Sequence, residues 1–327
     1  MTLDASASAA LAAEEAWAIR RSESLWRRAF RRLLRKKLAV ICLVVIGLFY
    51  SIGLAAPLIA PYGYSEQNLD ISFQGPSMSH PFGTDRNGRD TLSRNIYAAR
   101  TTVIVTLATV LAGSVILPLT LGMLAGYRRG LVDATINRVG EILASLPGLP
   151  MLVLINATLR PRVVRGVSRF EDAVHWNGLT SSGFADFFLI FAVLSLFGWV
   201  GYARLIRSQT LTIRGSEYVL AAEASGASTR RILFTHILPN VMPLVIVSVS
   251  ASLGAVAGSE IALTFLGVGI QPPHASFGAL ITDGSAAAVL RNHPQLLLVP
   301  AIIVASLIFA FNLLGDAFND VFTPRAQ

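Results

Sequence analysis

Apolar and polar positions alternate along this chain in long blocks rather than in short periods. Charge-free runs of the length that spans a bilayer as a helix, about 17 to 25 residues, fall at 38–60, 101–126, 142–159, 187–203, 237–259 and 295–315. In hydrocarbon a segment must satisfy its own backbone polar groups, so each run is expected to be a helix. Pro147 and Pro150 interrupt the third run, and Asp186 and Arg204 closely flank the fourth. The fold class expected is all-α, a polytopic membrane protein with six transmembrane helices. Three regions follow: a tail at 1–37, a first helix with its external loop at 38–100, and a core of five helices at 101–327 that contains a long loop at 204–239.

Composition agrees, with 53% hydrophobic and 14% charged residues. Charge adds orientation, because basic residues are retained on the cytoplasmic side during insertion. With the N-terminus inside, the cytoplasmic segments carry 18 of the 27 Lys and Arg residues, and the external ones carry 9. Both termini are therefore expected in the cytoplasm. "DRNGRDTLSR" and "RPRVVRGVSR" run against this count, holding seven external arginines between them. The net charge of +8 is read as a topology signal and not as a preference for acidic cargo.

The tail is expected not to be a cleaved signal, since the first span is too long for a signal core. "SLWRRAFRRLLRKK" places Leu25, Trp26, Ala29, Phe30, Leu33 and Leu34 on one helical face and Arg27, Arg28, Arg31, Arg32, Arg35 and Lys36 on the other. That pattern predicts a helix lying in the headgroup layer, with membrane lipid as its partner. A nucleic-acid arm is the rival; direct connection to a span favours lipid, so no nucleic-acid partner is expected.

Missing residue types exclude several chemistries. Lys36 and Lys37 are the only lysines and no Gly-Lys pair occurs, so the chain has no phosphate-cradling P-loop. The single cysteine, Cys42, lies inside the first run, which removes disulfides and thiolate metal sites. His80, His175, His236, His274 and His293 are scattered without metal-ligand spacing, and no Gly-x-Ser-x-Gly elbow appears. No catalytic residue, no metal ligand and no directly bound cofactor is expected, and the chain is expected not to be an enzyme. Two acids sit in or beside apolar runs. Glu141 is read as a group near the headgroups. Glu260 is either a pathway or gate residue, or an acid near the outer end of its span within reach of headgroups and loop donors. Gly122-x-x-x-Gly126 and Gly254-x-x-x-Gly258 point to close helix packing.

The loop between the fourth and fifth runs reads as two short helices. Ser216 is placed to cap "SEYVLAAEASG", which Gly226 ends in a left-handed turn; Ser228 is placed to cap "STRRILFTHIL". Ala221, Ala222, Gly226, Leu238 and Pro239 in this loop, which also holds Ala227, resemble the cytoplasmic loop of ABC-importer permeases, Glu-Ala-Ala, three residues, Gly, nine residues, Ile-x-Leu-Pro, with His236 where the isoleucine is expected and Ile237 beside it. Leu220 stands where that pattern has its glutamate, and Glu223 has the wrong spacing to replace it. In that family the loop forms the coupling helix that docks on the ATPase subunit, so the resemblance implies docking at Leu220, Ala221, Ala222 and Glu223 without the usual charged contact.

The resemblance covers the chain from about Arg31 onward. "APLIAPYGYSEQNL", "HPFGTDRNGRDTLSRNIYAART", "FLGVGIQPPHASFGALI" and "FNLLGDAFNDVFTPR" are similar to the C-type permease subunits of oligopeptide, dipeptide and nickel importers. The C-terminal segment departs from that pattern at Phe318, Asn319, Phe322 and Thr323. Arg160 to Asp186 is longer than usual. The resemblance implies a type I importer permease fold, a homologous second permease, one or two ABC ATPase subunits that use ATP and Mg, and an extracytoplasmic solute-binding protein. It implies a prokaryotic inner-membrane location and peptides as cargo, with nickel, glutathione or another small solute as the alternative. Asp85, Arg89 and Asp90 either staple an external loop or touch the binding protein, and Gln271 and His274 share that ambiguity. A stand-alone secondary transporter would need broken helices with ion ligands in both halves, and a membrane scaffold would have no use for a coupling loop.

Overall fold

The computed structural model describes residues 31–175, 178–180 and 182–322. The principal helices are α1 (Lys37–Leu54), α2 (Thr91–Arg128), α3 (Gly130–Ser145), α4 (Gly148–Val174), α5 (Phe184–Arg214), α6 (Glu217–Ala224), α7 (Thr229–Phe265), α8 (Phe277–Ser285), α9 (Ala287–Asn292) and α10 (Gln295–Phe322). Apart from one isolated bridge between Thr84 and Asp90, no strand pairing occurs among the described residues. Five helices, α1, α2, α5, α7 and α10, are long and apolar enough to cross a membrane.

The third expected span is the main departure. Instead of one straight helix over 142–159, the chain forms α3 and then Pro150–Val174, bent by 96°. Taken as one broken span, the pair raises the count to six. The break falls at Pro147 and its neighbours, where the ring fixes φ and disfavours helix in the residue before it. Beyond the bend α4 runs on through the segment expected as a loop, as far as Val174. There Arg162, Arg165 and Arg169 are exposed while Val163, Val164 and Val167 are partly covered, a helical period inside a basic stretch.

Each span buries one stripe inside the bundle and leaves the rest exposed. On α1, Ala39, Cys42, Phe49 and Gly53 face the bundle, whereas Leu38, Ile41, Val44 and Leu48 are exposed. At Gly53 an added Cβ would lie 3.0 Å from the Ala99 carbonyl, so only a hydrogen lets α1 meet α2 there. The expected Gly122 and Gly126 packing is found between α2 and α5: added Cβ atoms would lie 2.7 Å from the Ala203 oxygen and 2.7 Å from Thr210 Cβ. Gly254 and Gly258 face α10 through Phe311 and Ile308.

Two widened π turns, Val110–Ile116 in α2 and Ile232–Ile237 in α7, each precede a proline, Pro118 and Pro239. Proline offers no N–H to the turn before it, and a π turn is one way a helix absorbs that loss. The second short helix expected after Ser228 is therefore not separate. It is the first part of α7, continuous through Pro239.

Packing sets the sidedness. Gly53 beside Ala99 brings the end of α1 to the first half of α2, and Lys36 Nζ lies 2.8 Å from Asp320 Oδ2 near the end of α10. The start of α1, the end of α2, the end of α5 with α6, and the end of α10 thus share one side. Loops 60–90 and 266–276, with α8 and α9, share the other. Of the expected interfacial helix, only residues 31–35 are described, and they are helical. Leu33 there does not face lipid: it is buried against Leu314, Ala317 and Val321 of α10.

Candidate functional site

The coupling-type loop is shorter than its expected span of 204–239, because α5 continues as helix to Arg214. Ser216 starts α6 with extended backbone, but its hydroxyl donates back to the Ile213 carbonyl at 2.6 Å and caps nothing. The expected Ser216 side-chain cap is thus corrected, since the carbonyl one turn back is the nearer partner. At the other end Gly226 adopts φ +77°, its N–H bonds the Glu223 carbonyl at 3.0 Å, and the Ala227 N–H bonds the Ala222 carbonyl at 3.0 Å. These two bonds form a Schellman end, the left-handed stop read from the sequence. Ser228 accepts from the Arg231 N–H at 3.4 Å, so its cap is present.

One residue roots α6 in the bundle. Val219 is fully buried among Met123, Ile206, Ile232, Ile237 and Val241, so the core holds α6 against α2, α5 and α7. Complete burial of a valine contributes about 1.5 to 3 kcal/mol. The opposite face is open and apolar: Tyr218 is 48%, Leu220 50% and, from α7, Phe234 57% exposed. Ala221 and Ala224 lie between them on that exposed surface, flanked by Arg230 and Arg231. Ala222 and Ala227 are half-covered, Leu238 is partly buried, and Pro239 is exposed in the first half of α7.

Glu223 turns inward. Its Oε1 lies 4.0 Å from Arg214 Nε, and Arg214 in turn donates to the Tyr127 carbonyl at 2.7 Å with its guanidinium carbon 5.2 Å from the Tyr127 ring centroid. The acid therefore reaches back to the ends of α5 and α2, while Leu220 occupies the outward position. Further along α5, Arg207 clamps Asp133 of α3 in a bidentate pair, one arm at 2.6 Å. Nothing in the sequence pointed to Tyr127, Arg214 or the Arg207–Asp133 pair, because their partners are 74 to 87 residues apart.

At the opposite end, Asp85, Arg89 and Asp90 are buried. Asp85 accepts from the N–H groups of Asn87 and Arg89 and from the Arg89 guanidinium at 2.7 Å, and it pairs with Arg94. Arg94 also reaches Asp283 of α8 at 3.3 Å. Asp90 caps α2 by accepting from the Ser93 N–H at 2.7 Å, and its other carboxylate oxygen lies 3.0 Å from His80 Nδ1. Their polar atoms are thus engaged inside this chain. Gly88 permits the turn, at φ +67°, where an added Cβ would meet the Asn68 carbonyl. Gln271 is half-buried and donates to the Gly267 and Gly269 carbonyls. His274 stacks on Tyr64 at 5.7 Å, and burial lowers its pKa against the opposing charge of Asp186.

Glu260 is wholly enclosed, out of reach of headgroups. It accepts from Thr102 of α2 at 3.1 Å and from Thr264 at 3.3 Å, fastening α7 to α2. Glu141 is exposed beside Arg138 at 3.4 Å. Among the described residues no group of three or more His, Cys, Asp or Glu side chains is placed to hold a metal ion.

A lipid-facing helical bundle that roots a short, sharply ended helix at one side and staples its loops at the other has the build of a permease subunit. Comparison with known families fixes the class: residues 118–327 match the binding-protein-dependent transport system inner membrane component, and residues 24–76 match the N-terminal TM domain of oligopeptide transport permease C. The chain belongs to this family of ABC importer permeases. It is similar to the oligopeptide transport system permease protein OppC of Bacillus subtilis, 32% identical over 94% of this chain and 92% of that one. The dipeptide transport system permease protein DppC of Bacillus subtilis is 34% identical over 94% and 88%. A glutathione transport system permease protein, GsiD of Pectobacterium atrosepticum, is 31% identical over 92% of each.

Proposed function

We propose that this chain forms half of the transmembrane pathway of an ATP-driven importer for dipeptides or oligopeptides. α6 docks on a partner ATPase through Tyr218, Leu220, Ala221 and Ala224, and a homologous second permease completes the pathway. An extracytoplasmic binding protein delivers cargo to the end that carries loops 60–90 and 266–276. Both termini and α6 lie in the cytoplasm of a prokaryotic inner membrane, and ATP and Mg bind only in the partner subunits. The observation that carries this reading is α6 itself: a helix rooted at Val219, ended at Gly226, and open on an apolar face.

The mechanics follow from the contacts. An ATPase that holds α6 differently in its nucleotide states biases the bundle between two arrangements. Displacement of α6 passes to α5 and α2 through Val219 and through Glu223, Arg214 and Tyr127, and from α5 to α3 through Arg207 and Asp133. Glu260 with Thr102 is the corresponding latch between α7 and α2 near the outer end. Asp85, Arg89 and Asp90 set the shape of the outer loop that meets the binding protein, while Gln271 and His274, half-buried in loop 266–276, lie at the same end. Reconstitution tests the reading: uptake of a labelled tripeptide should require ATP, the ATPases and the binding protein together. Uptake by this chain alone, driven by an ion gradient, would overturn it.

A further inference from the structure

A cavity of about 390 Å³ opens between the first turns of α2 and α5 and the loop that carries His274. It lies at the end of the bundle opposite α6. Its volume falls in the range of small-molecule sites, about 300 to 1,000 Å³. One wall is a continuous run of rings: Tyr97 meets Tyr64 edge-on at 5.0 Å, Tyr64 stacks on His274 at 5.7 Å, and Phe187 meets His274 at 6.2 Å. The backbone fixes this wall. Gly183, at φ +73°, comes so close that an added Cβ would lie 2.6 Å from the His274 ring.

The electrostatics of the cavity are simple. Burial lowers the His274 pKa against the opposing charge of Asp186, which disfavours the imidazolium form. Among the described residues Arg100 is the only Arg, Lys, Asp or Glu side chain in the lining, and it is exposed there. The other arginines of this end that face acids are committed: Arg94 and Arg89 to Asp85, and Arg160 to Asp186. A guanidinium beside aromatic faces selects an anion attached to an apolar or flat group, since it can hold a carboxylate in a two-point fork. The same charge repels an ammonium that the rings alone would attract.

We propose that this cavity is a subsite for the C-terminal residue of a peptide, with Arg100 on the α-carboxylate and Tyr97, Tyr64 and Phe187 around an apolar side chain. The proposal rests on the reading of the chain as a peptide permease. It assigns the first contact that cargo makes with this subunit after leaving the binding protein, and it makes the free carboxylate a feature the permease itself reads.

Uptake by the reconstituted importer, with one binding protein throughout, separates this from the selectivity of that protein. A tripeptide ending in phenylalanine is offered as the free acid and as the C-terminal amide, to wild type, Arg100→Gln and Arg100→Lys. The expected result is a free-acid to amide ratio that falls about tenfold in Arg100→Gln, the loss of one charged contact, and falls by less in Arg100→Lys, which keeps the charge but not the two-point fork. Phe187→Ala should lower uptake of the phenylalanine-ending peptide relative to one ending in alanine. An unchanged ratio in Arg100→Gln, in a complex that still transports peptide, overturns the subsite alone. If wild type carries another solute and neither peptide form, the peptide reading itself is wrong and the subsite falls with it.

Discussion

Gly226 offers a perturbation whose size can be worked from geometry, because space and backbone strain are separable there. An added Cβ at Gly226 would meet nothing within 4 Å, so a substitution causes no clash. The residue nevertheless sits at φ +77°, where a side chain costs about 1 to 2 kcal/mol. Gly226→Ala should therefore reduce the population of the closed helix end by about 5- to 30-fold. Asparagine tolerates this region, so Gly226→Asn should be much milder, and Gly226→Val, β-branched, the most severe. Hydrogen exchange reads the effect directly at the amides of residues 226 and 227, which the Glu223 and Ala222 carbonyls hold at 3.0 Å. Protection should fall in the order Asn, Ala, Val, while the Val219 amide, rooted in the core, stays protected. ATP-driven uptake should follow the same order and be abolished by Gly226→Val, with binding-protein affinity untouched. Equal protection in the Ala and Asn variants, or full uptake by the Val variant, would refute the argument that this turn shapes the docking helix.

Other contacts give predictions of differing scale. Arg214→Ala should cost about 1.5 to 3 kcal/mol, since it removes a charged donor from the Tyr127 carbonyl, and should lower uptake per ATP hydrolysed; Glu223→Gln, losing only a partly exposed pair at 4.0 Å, should change unfolding in detergent by less than about 1 kcal/mol. Asp85→Ala leaves the buried Arg89 and Arg94 with only the half-exposed Asp283, at 3.8 and 3.3 Å, and should destabilise by about 3 kcal/mol, the low end for a broken buried pair, seen as a lower Tm. Gly122→Leu should prevent α2 from seating on α5, where even a Cβ would lie 2.7 Å from the Ala203 oxygen, so a trypsin-resistant core should be lost. The depressed pKa of His274 means that the unfolded chain binds a proton the folded chain does not, so stability should rise with pH in the window ending near about 6.5, the ordinary histidine value. His274→Gln should flatten the wild-type slope in that window and leave the region above it unchanged.

Most of the bundle was legible because a membrane span writes itself as one uninterrupted run: α2, α5, α7 and α10 each contain theirs, whereas α1 ends at Leu54, short of its expected run of 38–60, and a separate short turn of helix, Ala56–Ile59, follows with Pro57 in it. The broken pair α3 and α4 was harder: prolines announce a break but do not give its angle, and arginines on one face of α4 hid its helical period. Gly226 could be read because a left-handed stop needs only local residues. Ser216 shows the limit of that reasoning, since its hydroxyl had a rival acceptor one turn back. The outer knot was half visible. Asp85 and Arg89 are neighbours in sequence, whereas the bond from Arg94 to Asp283 joins positions 189 residues apart and depends on the whole fold. Glu223 stood out as an acid at the wrong spacing, and only the meeting of α5, α6 and α2 explains it.

The docking claim itself is tested most directly by one cysteine. Cys42 is the chain's only cysteine and is buried, so Cys42→Ala gives a background in which Leu220→Cys, half exposed on α6, is the single reactive thiol. In sealed membranes holding the complete importer, that thiol should resist an impermeant reagent added outside, react once the cytoplasmic side is opened, and crosslink to the ATPase subunit with a yield that changes between nucleotide-free and ATP-bound states. Labelling from outside, or no crosslink to the ATPase in either state, would contradict the account.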